Sequence, residues 1–207
     1  GGEFLESYGA RSAPRLTYNF PGNTCISVNE EAAHGIPGSR VLKAGDLVTI
    51  DVSAELDGYF ADTGGSAIIP PKSKLHLQIC AAAKKALENA MLEARAGARI
   101  NRIGYAIEVE AVRNGLTVIE NIGSHGVGRA LHEEPGFIAG YYDKRDKRIL
   151  KENQVITIEP FISSGARQVH DNGDGWTLVT RPGVFTAQYE HTLVITKGKP
   201  LIMTLPV

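Results

Sequence analysis

Leu47-Val48-Thr49-Ile50-Asp51-Val52-Ser53-Ala54-Glu55-Leu56-Asp57-Gly58-Tyr59-Phe60-Ala61-Asp62-Thr63 is the stretch that decides how this chain folds. Up to Leu56 the residues alternate. Val48, Ile50, Val52, Ala54 and Leu56 form an apolar set, while Leu47, Thr49, Asp51, Ser53 and Glu55 are mostly polar. A period of two predicts a β-strand with one buried face. Asp57-Gly58 is a two-residue hairpin turn, since both residue types tolerate positive φ. Residues 59–69 then return as the partner strand. With Asp57 and Gly58 at the turn, Ser53 faces Asp62 and Asp51 faces Gly64. Asp51, Ser53 and Asp62 share one face, and the two aspartates are diagonal neighbours roughly 7–8 Å apart. A bulge would change this register, and bulges are common beside active sites.

Outward from the hairpin, residues 1–24 are rich in Gly, Pro, Ser and Asn and read as irregular structure or a short strand. Residues 73–96 place Leu75, Ile79, Ala82, Ala83, Ala86, Leu87, Ala90 and Met91 at helical spacing, with Gly97 as the stop. A second helix is predicted over 101–114, with Ile103, Ile107 and Ala111 on one face. Strands are predicted over 116–120, 154–163, 176–181 and 185–196. Lys144, Arg145, Lys147, Arg148 and Lys151 cluster in a loop, the usual composition of a solvated surface.

The chain has 207 residues, 22 Lys and Arg against 23 Asp and Glu, and a net charge of −1. That length fits one domain, and we expect residues 1–207 to form a single catalytic domain. The near-neutral balance gives no reason to expect nucleic-acid or membrane binding. No apolar run spans a bilayer, and no secretory signal opens the chain. Two cysteines, Cys25 and Cys80, make no disulfide framework, so a cytoplasmic location is expected.

Four acids and one histidine stand in distinctive phrases: Ile50-Asp51-Val52, Ala61-Asp62-Thr63, Ser124-His125-Gly126, Ile158-Glu159-Pro160 and Tyr189-Glu190-His191. A lone Asp near a turn is usually exposed or structural. Here the simple reading must also explain Glu190 inside the apolar strand 187–195, where an unpaired carboxylate is costly. If the five converge, their negative charge requires cations, and two divalent ions would balance four carboxylates. His34, in His-Gly-Ile-Pro, and His132, in His-Glu-Glu-Pro, are second-tier candidates for holding substrate or stabilising an oxyanion. His191 is expected to point to the strand face opposite Glu190.

Taken together, these phrases resemble the type I methionine aminopeptidases, a branch of the pita-bread metallopeptidases. The likeness runs from about Tyr8 to about Leu205. It is strongest over Cys25–Pro37, Gly45–Ser53, His125–Pro135, Ile156–Pro160 and Ala187–Thr192. The resemblance implies an α/β (α+β) pita-bread fold, a curved antiparallel sheet with helices packed outside and pseudo-twofold halves. It implies two divalent metal ions (Mn, Fe(II), Co(II) or Zn), with Asp51 chelating one, Asp62 and Glu190 bridging both, and His125 and Glu159 each completing one shell. It implies that Glu159 activates the attacking water, that His34 contacts the substrate's peptide nitrogen or the leaving side, and that His132 polarises the scissile carbonyl. Tyr18, Phe20, Cys25 and Trp176 would line the pocket for methionine. The implied reaction removes N-terminal methionine from peptides and nascent proteins, preferably before a small residue. Alternatives are an aminopeptidase or dipeptidase cleaving beside proline and a silent peptide-binding module of the same fold. Weak ribosome association and a monomer, or a dimer, complete the expectations.

The chain also departs from the family pattern. Ser124 stands where a glycine is usual, Leu131 where an aromatic is common, and Ala33 where a larger residue is common. Gly64-Gly65 replaces a small-plus-charged pair. Roughly the first two helices of the family's N-terminal half have no counterpart here, so either a trimmed chain or a naturally short member is expected.

Overall fold

The computed structural model describes residues 1–205. In chain order its elements are α1 (Gly2–Ser7), β1 (Arg11–Ser12), α2 (Ala13–Tyr18), β2 (Cys25–Val28), β3 (Glu31–Ala33), β4 (Leu47–Leu56) and β5 (Tyr59–Ile68). Two longer helices follow, α3 (Lys74–Glu93) and α4 (Asn101–Arg113). The remainder is strand: β6 (Thr117–Val118), β7 (Ser124–Gly126), β8 (Glu133–Ile138), β9 (Val155–Ile158), β10 (Phe161–Ser163), β11 (His170–Asp171), β12 (Leu178–Val179), β13 (Thr186–Val194) and β14 (Leu201–Ile202).

The hairpin forms in the expected register, without a bulge: Asp51 opposes Gly64 and Ser53 opposes Asp62. Asp57 and Gly58 both adopt positive φ, 52° and 81°, as the tight turn requires. The main sheet runs β1-β4-β5-β13-β9-β7-β8, and β13 lies between β5 and β9. All of the pairings described are antiparallel. β13 also pairs with β10 and β14, so residues 186–194 are the rail on which the two halves of the sheet meet.

The helices pack on one side. Ser73 caps α3 by accepting the His76 N–H, and Ala82, Ala83, Ala86 and Ala90 make a face slim enough for close approach. Ile103 and Ile107 of α4 meet that face over Ile156, Ile158, Ala187 and Leu193 of the sheet. This continuous apolar cluster is the core.

Two expectations are corrected. Residues 1–24 are not irregular or a strand alone: they carry the short helices α1 and α2, the second capped by Ser12. The strand predicted over 154–163 is two strands broken at Glu159-Pro160, and the one over 176–181 shrinks to two residues. The alternation left open which face of β4 is buried, and it is the polar one. Ser53 and Glu55 are 7% and 3% exposed, whereas Ile50 and Leu56 are 47% and 46% exposed. Glu55 tolerates burial because Arg11 Nε donates to it at 2.6 Å and Gly58 N–H at 2.7 Å. The polar face is turned inward because it lines a site.

Candidate metal centre

Three cross-strand rows build the inner face. In the first, Thr49 and Ser66 share a hydroxyl hydrogen bond of 2.7 Å, and Ser66 Oγ bridges to the backbone of Gln188 at 3.0 Å. In the second, Asp51 on β4, Gly64 on β5 and Glu190 on β13 stand side by side. A Cβ at Gly64 would lie 3.3 Å from Glu190 Oε2, so the missing side chain leaves room for carboxylates from both flanks. In the third, Ser53 opposes Asp62, and Thr192 Oγ1 both accepts the Asp62 N–H and donates to the Asp62 carbonyl, each at 2.8 Å.

The other half of the sheet brings the imidazole and the fourth acid. His125 lies on β7, and its N–H donates to Thr157 Oγ1 at 3.1 Å. Its Nε2 is 3.4 Å from Glu159 Oε1 and 3.9 Å from Asp62 Oδ2. Ligand-capable atoms of Asp62, His125 and Glu190 all lie within 4.8 Å of one another. His125 Nδ1 lies 3.0 Å from the Gly126 carbonyl, an oxygen that can only accept. The ring proton therefore sits on Nδ1, and Nε2 presents a lone pair to the acids, the tautomer of a metal-ligating histidine.

The electrostatics fit a divalent ion. Asp51 Oδ1, Asp62 Oδ1 and Glu190 Oε1 are buried without a hydrogen-bond partner. Burial first, and then mutual repulsion, push Asp51, Glu159 and Glu190 well above the usual carboxylate range. Burial also raises Asp62. Buried anions crowded this way are stable only if protonated or balanced by cations, and oxygen-rich ligands with one imidazole suit divalent transition metals.

Beside the acids lies a cavity of about 260 Å³. Phe20, Cys25, Leu131, Phe161 and Trp176 give it apolar walls, and Phe20 meets Trp176 edge-on at 5.2 Å. Burial, then the nearby Asp51 and Asp62, push the Cys25 thiol upward, so it remains neutral. His34 and His132 also line the cavity. His34 sits just after β3 with φ of 54°, an uncommon conformation for a non-glycine residue. His132 stacks on His125 with ring centroids 3.9 Å apart. Desolvation, then His125, push its pKa down to about 4, so it is neutral near pH 7.

The structure thus gathers Asp51, Asp62, His125, Glu159 and Glu190, with His34, His132, Phe20, Cys25 and Trp176 around the same cavity. Tyr18 lines the same cavity. It is 45% exposed, and its hydroxyl lies 2.7 Å from His132 Nδ1. His191 turns away as expected, its Nδ1 lying 2.9 Å from Thr204 Oγ1.

Sequence reasoning passed over the polar groups that orient the acids. Thr157 Oγ1 donates to Glu159 Oε1 at 3.1 Å, and Gln188 Nε2 reaches both Glu159 Oε2 and Glu190 Oε2 at 3.2 Å. Ser124 Oγ accepts the Glu159 N–H at 2.9 Å, so the residue that departs from the family pattern holds the acid's backbone. The available signal was positional: Gln188 and Thr192 flank Glu190 at i±2, and Thr157 precedes Glu159 at the same spacing.

A curved antiparallel sheet, helices on its outside and a buried carboxylate–imidazole cage beneath it define the pita-bread metallopeptidase class. The sequence pattern of metallopeptidase family M24 matches residues 3–197, and the chain belongs to that family. The chain is 48% identical to a methionine aminopeptidase of Staphylococcus epidermidis over 98% of its own length and 81% of the relative's. It is also 48% identical to methionine aminopeptidase 2 of Bacillus subtilis, over 99% and 82% of the two chains. The crystal structure of methionine aminopeptidase from Rickettsia prowazekii superposes with a TM-score of 0.93 at 35% identity, covering 99% of this chain and 82% of that one.

Proposed function

We propose that the protein is a metal-dependent methionine aminopeptidase acting in the cytoplasm, with residues 1–207 as one catalytic domain. The observation that carries this reading is the gathering of ligand-capable atoms of Asp62, His125 and Glu190 within 4.8 Å of one another, with buried, unpartnered oxygens on Asp51, Asp62 and Glu190, beside a cavity with apolar walls. Asp51, Asp62, His125, Glu159 and Glu190 would hold two divalent ions. When bound, Mn, Fe(II), Co(II) or Zn would supply Lewis-acid charge stabilisation and a water acidic enough to react near neutral pH.

The chain's own residues then divide the work. Glu159 accepts the water's proton, its carboxylate oriented by Thr157 and Gln188. His132, neutral, donates an N–H to the scissile carbonyl oxygen as negative charge develops there. His34 contacts the peptide on the leaving side. Phe20, Cys25 and Trp176 surround the methionine side chain, since an unbranched thioether suits an apolar, aromatic-lined slot. Substrates are the N-termini of peptides and nascent proteins, with weak ribosome association through the exposed Lys144, Lys147 and Lys151.

The test is methionine release from Met-Ala-Ser by metal-stripped protein supplemented with Mn, Fe(II), Co(II) or Zn, with an Ala-Pro peptide as control. Metal-dependent cleavage of the first peptide alone is expected. Cleavage of the control alone would move the protein to the proline-directed branch. Cleavage of neither, with metal bound, would make it a binding module.

A further inference from the structure

Tyr18 ends α2, and its backbone is well anchored. Asn19 caps the helix in the left-handed region with φ of 58°, and Phe20 is buried beside Trp176. The ring itself remains largely open, with its hydroxyl 2.7 Å from His132 Nδ1 and the two rings 5.6 Å apart. A neutral imidazole has one donor and one acceptor nitrogen, and the partner of the first decides the character of the second. A phenol O–H is a stronger donor than a neutral imidazole N–H, and the imidazole nitrogen is the stronger acceptor. The contact therefore runs from Tyr18 to Nδ1 and leaves the ring proton on Nε2. His125 lies against the face of the ring with centroids 3.9 Å apart, so it does not take up the in-plane Nε2–H.

We propose that Tyr18 is a positioning residue for the peptidase reaction: its hydroxyl holds His132 in the Nε2–H tautomer, the form that can donate to the scissile carbonyl oxygen. The inference rests on the aminopeptidase reading for its consequence but not for its structural content. It gives Tyr18, which also lines the cavity, a role beyond that of side-chain pocket wall. A wall residue would act on how tightly methionine binds. A residue that fixes a donor used only as the oxyanion forms acts on turnover.

The test compares the wild-type chain with Tyr18→Phe in two ways. On metal-stripped protein, nitrogen NMR of His132 should give the Nε2–H form in the wild type and a mixture of tautomers in the variant. With Mn and Met-Ala-Ser, kcat should fall about tenfold, while KM stays within about twofold. In a His132→Ala background, Tyr18→Phe should cost nothing more, because the residue it acts through is gone. An unchanged tautomer ratio, a rise in KM alone, or an equal loss in the His132→Ala background would each overturn the proposal. If the wild type cleaves no peptide with any metal, the aminopeptidase reading fails, and the NMR comparison still decides the Tyr18 contact.

Discussion

Gln188 has no charge, yet its amide touches two carboxylates that would repel each other without it. A donor shared by two ligands fixes their separation before any cation arrives, and such outer partners commonly govern metal affinity. Replacing Gln188 with Leu should weaken Mn binding by roughly 10–100-fold, read by isothermal titration of stripped protein. An unchanged affinity would make Gln188 a packing residue only. The acids themselves were legible in the sequence, because an Asp or Glu inside an apolar strand contradicts its surroundings. The hydroxyls and amide that orient them were not. Thr157, Thr192 and Gln188 are ordinary in a strand, and only the fold reveals that each side chain meets a cage residue from another segment. Ser124 illustrates the same limit: it stood out as a departure, while its bond to the Glu159 backbone required coordinates.

At the scale of elements, alternation gave β4 its period and the Asp57-Gly58 turn gave its register. Neither could say which face would be covered. Burial normally follows the apolar set, and here the polar set won because its carboxylates and hydroxyls pair across β4, β5 and β13. The helices were legible for the opposite reason, since their apolar stripes and the core agree. α4 depends on one position that periodicity undervalues. A Cβ on Gly104 would run into the carbonyl oxygens of Ala139 and Tyr141. Those are backbone atoms and cannot rotate away, so Gly104→Ala should destabilise the protein by about 1–3 kcal/mol. Helix propensity alone would make the same change stabilising, so a higher urea midpoint for the variant would refute the packing argument.

Across the whole molecule, the cage joins residues far apart in the chain, and any ion it holds must bind the folded state in preference to the unfolded one. Saturating Mn or Co(II) should therefore raise Tm, by linkage worth about 2.7 kcal/mol at a hundredfold excess over Kd. Differential scanning fluorimetry of stripped and reloaded protein measures this, and an unchanged Tm would mean that the acids hold no ion. Short strands such as β7 and β11 escaped the sequence because two or three residues carry no readable period. They exist because neighbouring segments supply their hydrogen bonds.

The central place of β13 also has a consequence for how the chain is made. Residues 186–194 leave the ribosome after all the strands they join except β14. Until they arrive, the hairpin bearing Asp51 and Asp62 and the strand leading to Glu159 have no common partner. The nascent chain is then two incomplete lobes, and the final stretch closes the sheet and delivers Gln188 and Glu190 in one insertion. Capture of any ion by the full cage must therefore wait for β13, and a chain stalled or cut before Thr186 would carry most of the cage residues and none of the cage.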